Sequence, residues 1–168
     1  MTKRLLTTIL TTLLTAIGLQ AASGFTNVKL TVSGMTVTMS NGKTTIKIGS
    51  NGRASSMKWG SRELLDGSNG IYFDYTTAQG NKALSPSDLK IIKQTDEMCE
   101  VLYSATSGNT IFQQGYIMRN DIAGVYTYVI ATGTATSASE PLKEMRVCTR
   151  LASDMLNGYV DYRMNGKI

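Results

Sequence analysis

From Met35 onward the chain alternates. Met35, Val37 and Met39 alternate with Thr36, Thr38 and Ser40, and Thr44, Ile46 and Ile48 then alternate with Lys43, Thr45 and Lys47. A period of two sends successive side chains to opposite faces of an extended backbone, so each run predicts a half-buried strand and not one stripe of a helix. Asn41-Gly42 stands between the runs. It predicts a hairpin with a type I′ turn, because both central residues of that turn need positive φ.

The same texture continues. Strands are predicted over Ser56 to Trp59, Ile71 to Tyr75, Leu89 to Gln94, Met98 to Ala105, Thr110 to Arg119, Val125 to Thr132 and Lys143 to Leu151. Separators rich in Gly, Asn, Asp and Ser fall between them, such as Ser50-Asn51-Gly52 and Ser107-Gly108-Asn109. No later stretch shows a long apolar pattern at 3.6 spacing, so helices should be short or absent. Many short strands with turn chemistry between them indicate an all-β antiparallel sandwich. With 168 residues and 42% hydrophobic residues, the chain suits one domain with a packed core. The run 132–139 is small and polar and reads as an exposed loop. No internal repeat is evident.

The N-terminus is different. Lys3 and Arg4 precede an apolar stretch from Leu5 to Leu19, and the small residues Ala21, Ala22, Ser23 and Gly24 follow. A basic start, a short apolar middle and a small-residue exit describe a secretory signal peptide, here residues 1–21, leaving 22–168 as the mature domain. The stretch is too short for a membrane span, which needs about 20 apolar residues. The expected product is secreted, periplasmic or extracellular, and off the membrane. Removing the two positive charges of Lys3 and Arg4 takes the formal charge from +5 to +3. That suits an acidic partner weakly and is too little to argue for nucleic acid.

Composition excludes several chemistries. There is no histidine, so no Ser-His-Asp triad, no Cys-His dyad and no His-ligated metal can be built from these residues. Two cysteines cannot make a Cys₄ zinc site or a disulfide-dense scaffold. Cys99 and Cys148 either pair after export or remain two thiols, since sequence does not set their separation. Asp66, Asp74, Asp96 and Asp121 lack the spacing of a calcium loop and read as turn residues. Gly34, Gly108 and Gly115 form no phosphate-binding fingerprint. No metal and no cofactor are expected. Trp59, Tyr72, Tyr75, Tyr116, Tyr126 and Tyr128 could stack on sugar rings, but strand aromatics more often serve the core or cross-strand pairs.

Parity along the last strand isolates two arginines. Met145, Val147, Thr149 and Leu151 share one face, which should meet the core. Glu144, Arg146, Cys148 and Arg150 share the other. Arg146 and Arg150 thus stand in one row. The row is either a solvated face with cross-strand ion pairs or a carboxylate-binding row, since guanidinium matches carboxylate bidentately.

Two segments resemble a known family. They are Glu140-Pro141-Leu142-Lys143-Glu144-Met145-Arg146-Val147-Cys148-Thr149-Arg150-Leu151, followed by Asp154-Met155-Leu156, and Ser56-Met57-Lys58-Trp59-Gly60-Ser61-Arg62-Glu63-Leu64-Leu65. With the Tyr126 to Thr132 strand, and a tail from Asp161 to Ile168, they are similar to the N-terminal catalytic domain of rhamnogalacturonan endolyases, polysaccharide lyase family four, which cut the pectin backbone by β-elimination. The E-x-R-x-x-x-R-L stretch is the more specific part. The resemblance implies a β super-sandwich of the galactose-mutarotase type, incomplete here, with a substrate groove on the polar face of a large antiparallel sheet. It implies a substrate-binding role for Arg146, with Arg150 matching the motif's second arginine. That family's catalytic lysine and histidine match no residue of this chain, and Lys143 and Lys167 occupy neither place. The resemblance therefore implies the front of a longer enzyme, cut inside its first domain, with no catalytic residue of its own. The expected partner is an acidic polysaccharide of the rhamnogalacturonan or pectin class, met by a monomer. A non-catalytic carbohydrate-binding sandwich and a structural or adhesive surface domain are the competing readings.

Overall fold

In the computed structural model, which describes residues 24–67, 70–134 and 141–154, the alternating runs pair as two antiparallel sheets. The strands are β1 Lys29–Ser33, β2 Thr36–Ser40, β3 Thr44–Ile48, β4 Ala54–Trp59, β5 Arg62–Glu63, β6 Ile71–Thr77, β7 Gly80–Ala83, β8 Asp88–Gln94, β9 Met98–Ser107, β10 Thr110–Arg119, β11 Tyr126–Gly133 and β12 Glu144–Thr149. The larger sheet runs β1-β2-β3-β4-β6-β12, with β5 on β4 and β7 on β6. The smaller runs β11-β10-β9-β8. No α-helix occurs among the described residues. This is the all-β antiparallel sandwich that the periodicity implies. The predicted signal peptide, residues 135–140 and the tail from Met155 lie outside the described residues.

The core lies between the sheets and follows the alternation. Val37, Met39, Ile46 and Ile48 of the β2–β3 hairpin are fully buried, while Lys47 between the last two is exposed. From the smaller sheet Val101, Tyr103, Phe112, Tyr116 and Met118 point back at them. Phe112 of β10 stacks on Tyr75 of β6 with ring centroids 3.9 Å apart, which sets β10 over β6. The Tyr116 hydroxyl donates to the Gly52 carbonyl at 2.8 Å, and Tyr103 donates to the Met35 carbonyl at 2.9 Å. Two buried phenols thus each satisfy a loop carbonyl of the opposite sheet, and burial pushes both phenol pKa values upward.

The β2–β3 hairpin turns one residue later than expected. The Asn41 N–H bonds the Thr44 carbonyl at 3.1 Å, which makes Gly42 and Lys43 the turn pair. Gly42 has φ +86°, so glycine at the first central position fits a type II′ turn. Asn41 is displaced from the turn because its side chain is needed in the core. Its Oδ1 accepts from Thr44 N at 2.8 Å and Lys43 N at 3.2 Å. Its Nδ2 donates to the carbonyls of Arg119 (2.7 Å) and Ile122 (2.8 Å). One amide clamps the hairpin to the end of β10 in the other sheet.

The apolar side of β12 does not meet the core as expected. Met145 and Val147 are each 39% exposed and Leu151 is 45% exposed. They do lie on the core-facing side, opposite Tyr75 and Phe73 of β6. Yet β12 is the last strand of the larger sheet and sits beyond β6, the strand that β10 covers.

Candidate functional site

The outer face of the larger sheet carries the residues that parity isolates. β12 pairs with β6 in the register Arg146–Asp74 and Cys148–Tyr72. Phe73 and Tyr75 are core residues, so Tyr72 and Asp74 must face outward beside Arg146. Ala54 pairs with Ile71, both in the core, so Arg53 lies level with Tyr72 on the outer face.

Arg146 meets Asp74 edge to edge. Its Nε donates to Asp74 Oδ1 at 2.8 Å and its Nη2 to Oδ2 at 2.7 Å, with Glu144 Oε2 at 3.7 Å from Nε. The Asp74 side chain is 9% exposed and that of Arg146 is 45% exposed. The hydrogen bonds from Arg146 hold the Asp74 carboxyl below the usual carboxylate range, against the opposing pull of burial, and the charges of Arg146 and Arg53 add to the lowering. The same contact raises the Arg146 pKa. Asp74 is therefore a mid-strand ion-pair partner and not the turn residue its surroundings suggest. It occupies the Nε–Nη2 edge of the guanidinium and leaves the Nη1–Nη2 edge turned away from it, a second fork of carboxylate-matching shape.

Tyr72 lies between two further arginines. The Arg53 guanidinium is 5.1 Å from its ring centroid and that of Arg150 is 5.9 Å away, within cation–π range. Arg150 also donates to the Tyr72 hydroxyl at 3.2 Å. The structure thus gathers Arg146 and Arg150 and adds Arg53, which lies between the Ser50-Asn51-Gly52 separator and the strand predicted from Ser56 and was not singled out from the sequence. Alternation counted back from Ala54 would have placed it on the outer face. Arg146 pairs with the buried Asp74 and the exposed Glu144, Arg53 acts on Asp74 by charge alone, and Arg150 turns to Tyr72, so three guanidiniums stand on this face with two neighbouring carboxylates, one of them buried. Lys47 and Lys58 stand further along the same face on β3 and β4.

The remaining candidates sort by face. Tyr75 and Tyr116 are core residues, whereas Trp59 is 59% exposed and Tyr126 is exposed as well. Tyr128 lies across Gly115 on the outer face of the smaller sheet and donates to Glu100 Oε1 at 2.6 Å. Both cysteines are free: Cys99 is buried against the core and Cys148 sits on the outer face of β12. Burial pushes the Cys99 thiol up to about 11, which keeps it protonated and inert. Among the described residues no group of three or more His, Cys, Asp or Glu could hold a metal, and no helix is long and apolar enough to cross a membrane. An open cleft of about 430 Å³, lined by Phe25, Thr26, Asn27, Asn120 and Asp121, lies at the loop end and includes none of the three arginines.

Fold and site define an antiparallel β-sandwich with an arginine–tyrosine cluster on one open sheet face. No family model and no curated protein matches the chain. The family reading therefore rests on the segments quoted from the sequence.

Proposed function

We propose that the chain is the N-terminal part of a secreted rhamnogalacturonan lyase and that the outer face of its larger sheet holds the uronate units of the polymer. The observation that carries the reading is the grouping of Arg53, Arg146 and Arg150 around Tyr72 and a single buried carboxylate. β-Elimination removes the proton on C5 of a galacturonate and expels the oxygen on C4. A guanidinium paired with the sugar carboxylate stabilises the enolate-like charge that builds there. The Nη1–Nη2 edge of Arg146, turned away from Asp74, suits that task, and Tyr72 holds Arg53 and Arg150 beside it. The proton-abstracting base of that family has no counterpart among these residues, so here the cluster binds and polarises and does not complete the reaction.

Calorimetric titration with rhamnogalacturonan and galacturonate oligosaccharides tests this. The chain is expected to bind them and to ignore neutral glucans. Arg146→Ala and Arg53→Ala are each expected to weaken binding about tenfold, the usual effect of removing one charge-assisted contact. Absence of binding, or binding by both variants as tight as that of the unaltered chain, overturns the reading. A second reading is a non-catalytic carbohydrate-binding sandwich, which needs only the open polar sheet face and its arginines. Incubation with the polymer separates the two only when the chain is joined to a segment supplying a base. Alone, it is expected to release no unsaturated product, and a sustained rise in absorbance would refute that.

A further inference from the structure

β12 is bonded to β6 along one side, and among the described residues no strand pairs with its other side. Arg150 turns both backbone groups inward: its N–H reaches Gly70 O at 2.8 Å and its C=O accepts from Asp66 N at 3.0 Å. Bonding direction alternates along a strand. From Glu144 to Arg150 the even-numbered residues therefore face β6, as does the N–H of Lys143, which reaches the Thr76 carbonyl at 2.9 Å, and Met145, Val147 and Thr149 present N–H and C=O to the open side. Met145 and Val147 also belong to the uncovered apolar row. Open backbone and uncovered apolar side chains coincide on one ribbon, which is the combination that recruits another strand.

We infer that β12 pairs antiparallel with β12 of a second copy of this chain, Val147 against Val147, joining two larger sheets into one. The register follows from charge. For both apolar rows to stay on the core side, residues of like parity must oppose each other. Centring on Val147 sets Glu144 of each copy against Arg150 of the other, with Met145 against Thr149. Centring on Arg146 sets that arginine against itself, and centring on Cys148 sets Arg146 against Arg150 twice. Centring on Met145 also sets Glu144 against Arg146 twice, but it opposes Val147 to Lys143, whose N–H already donates to the Thr76 carbonyl at 2.9 Å, so the Val147 carbonyl finds no donor. Centring on Thr149 opposes Glu144 to Asp154. Opposite charges across a pair stabilise and like charges destabilise, so within β12 only the Val147 register gains two attractive pairs and also keeps the outward bonds of Met145, Val147 and Thr149. The contact is self-complementary and closes at two copies. It departs from the monomer expected from sequence, and it is independent of the polysaccharide reading.

Sedimentation velocity on the 168-residue chain, over roughly 1–100 µM, reads the association directly. A concentration-dependent dimer is expected. Glu144→Arg and Arg150→Glu should each weaken it about tenfold or more, because two pairs turn repulsive at once. The double exchange should return it to within about threefold of the original, since both pairs become attractive again. Val147→Pro removes an outward N–H at the two-fold axis and leaves the bonds to β6 intact. It should give a monomer with unchanged far-ultraviolet circular dichroism. A monomer at every concentration, single reversals without effect, a double exchange that fails to restore, or assemblies larger than two would each overturn the inference.

Discussion

Asp74 shows how one residue serves packing and charge together. Its carboxylate is almost covered, yet it stays ionised because Arg146 grips both oxygens. An isosteric Asp74→Asn keeps the shape and loses the charge. It is expected to cost about 1–2 kcal/mol at neutral pH, the range for a hydrogen bond to a charged group discounted for the partly exposed arginine. The sign with pH follows from linkage. The folded carboxyl titrates below its unfolded value, so near pH 4 the unfolded chain binds more protons and stability rises with pH. This contribution is complete above the ordinary carboxylate range, about 4, and is lost as pH falls through the folded value. Urea unfolding at several pH values should show the gap between wild type and Asp74→Asn closing as acid is added. A gap that widens would contradict the pairing. Asn41 is a second such residue, with both donors and both acceptors satisfied. Asn41→Asp aims a carboxylate oxygen at the carbonyls of Arg119 and Ile122. It should cost about 3 kcal/mol or more, exceeding the cost of Asn41→Ala, because a buried charge facing two acceptors is worse than an empty space. Denaturant midpoints of the two variants decide the order.

At the scale of elements, the pairing of β10 with β11 depends on Gly115. Tyr128 crosses directly above it, and a Cβ there would fall inside the ring. Gly115→Ala must swing Tyr128 off the sheet and break its bond to Glu100. A loss of about 1–3 kcal/mol is expected, as for other overpacked sites. The change also has a spectroscopic signature. Burial, then the Glu100 bond and charge, push the Tyr128 phenol up to about 12. In Gly115→Ala one phenol should move back toward about 10 in an ultraviolet titration. An unchanged titration would mean that the ring never lay across the glycine. Element by element, the sequence was legible where alternation met a core. The strand predicted over Thr110 to Arg119 has those bounds in β10. β1, β5 and β7 went unseen, and none places a continuous apolar row in the core: β1 is largely exposed and β5 and β7 are very short. The outward row of Arg146 and Arg150 was legible from parity. Its partners were not, because the register joining Arg146 to Asp74 spans 72 residues of sequence and alternation says nothing about which distant strand lies alongside. Parity also could not reveal that Met145 and Val147 stay exposed, since it assigns a face and not what covers that face.

Across the whole molecule, charge is modest in sum and uneven in place. The chain carries a formal +5, but Arg53, Arg146, Arg150, Lys47 and Lys58 share the outer face of one sheet, against the carboxylates of Asp74, Glu144 and Glu63. Asp74 is sunk beneath the guanidinium layer, where it orders Arg146 more than it neutralises the surface. A uniform +5 spread over the molecule would attract a polyanion weakly and without preference for a face. A cationic face instead meets successive carboxylates of an extended polymer together, so its pull should add along the chain and fade with salt. Between about 0.05 and 0.5 M salt the screening length shrinks from roughly 14 to roughly 4 Å, below the spacing of neighbouring sites. Affinity for rhamnogalacturonan should therefore fall at least tenfold over that range in a titration series. The Arg53→Ala/Arg146→Ala double variant should show a shallower salt slope, because it holds fewer carboxylates. A Lys→Ala pair chosen on the smaller sheet, Lys90 and Lys93, has the same change in net charge and should leave the slope close to wild type. If both pairs flatten it equally, overall charge governs attraction and the arginine–tyrosine face has no privileged part in it.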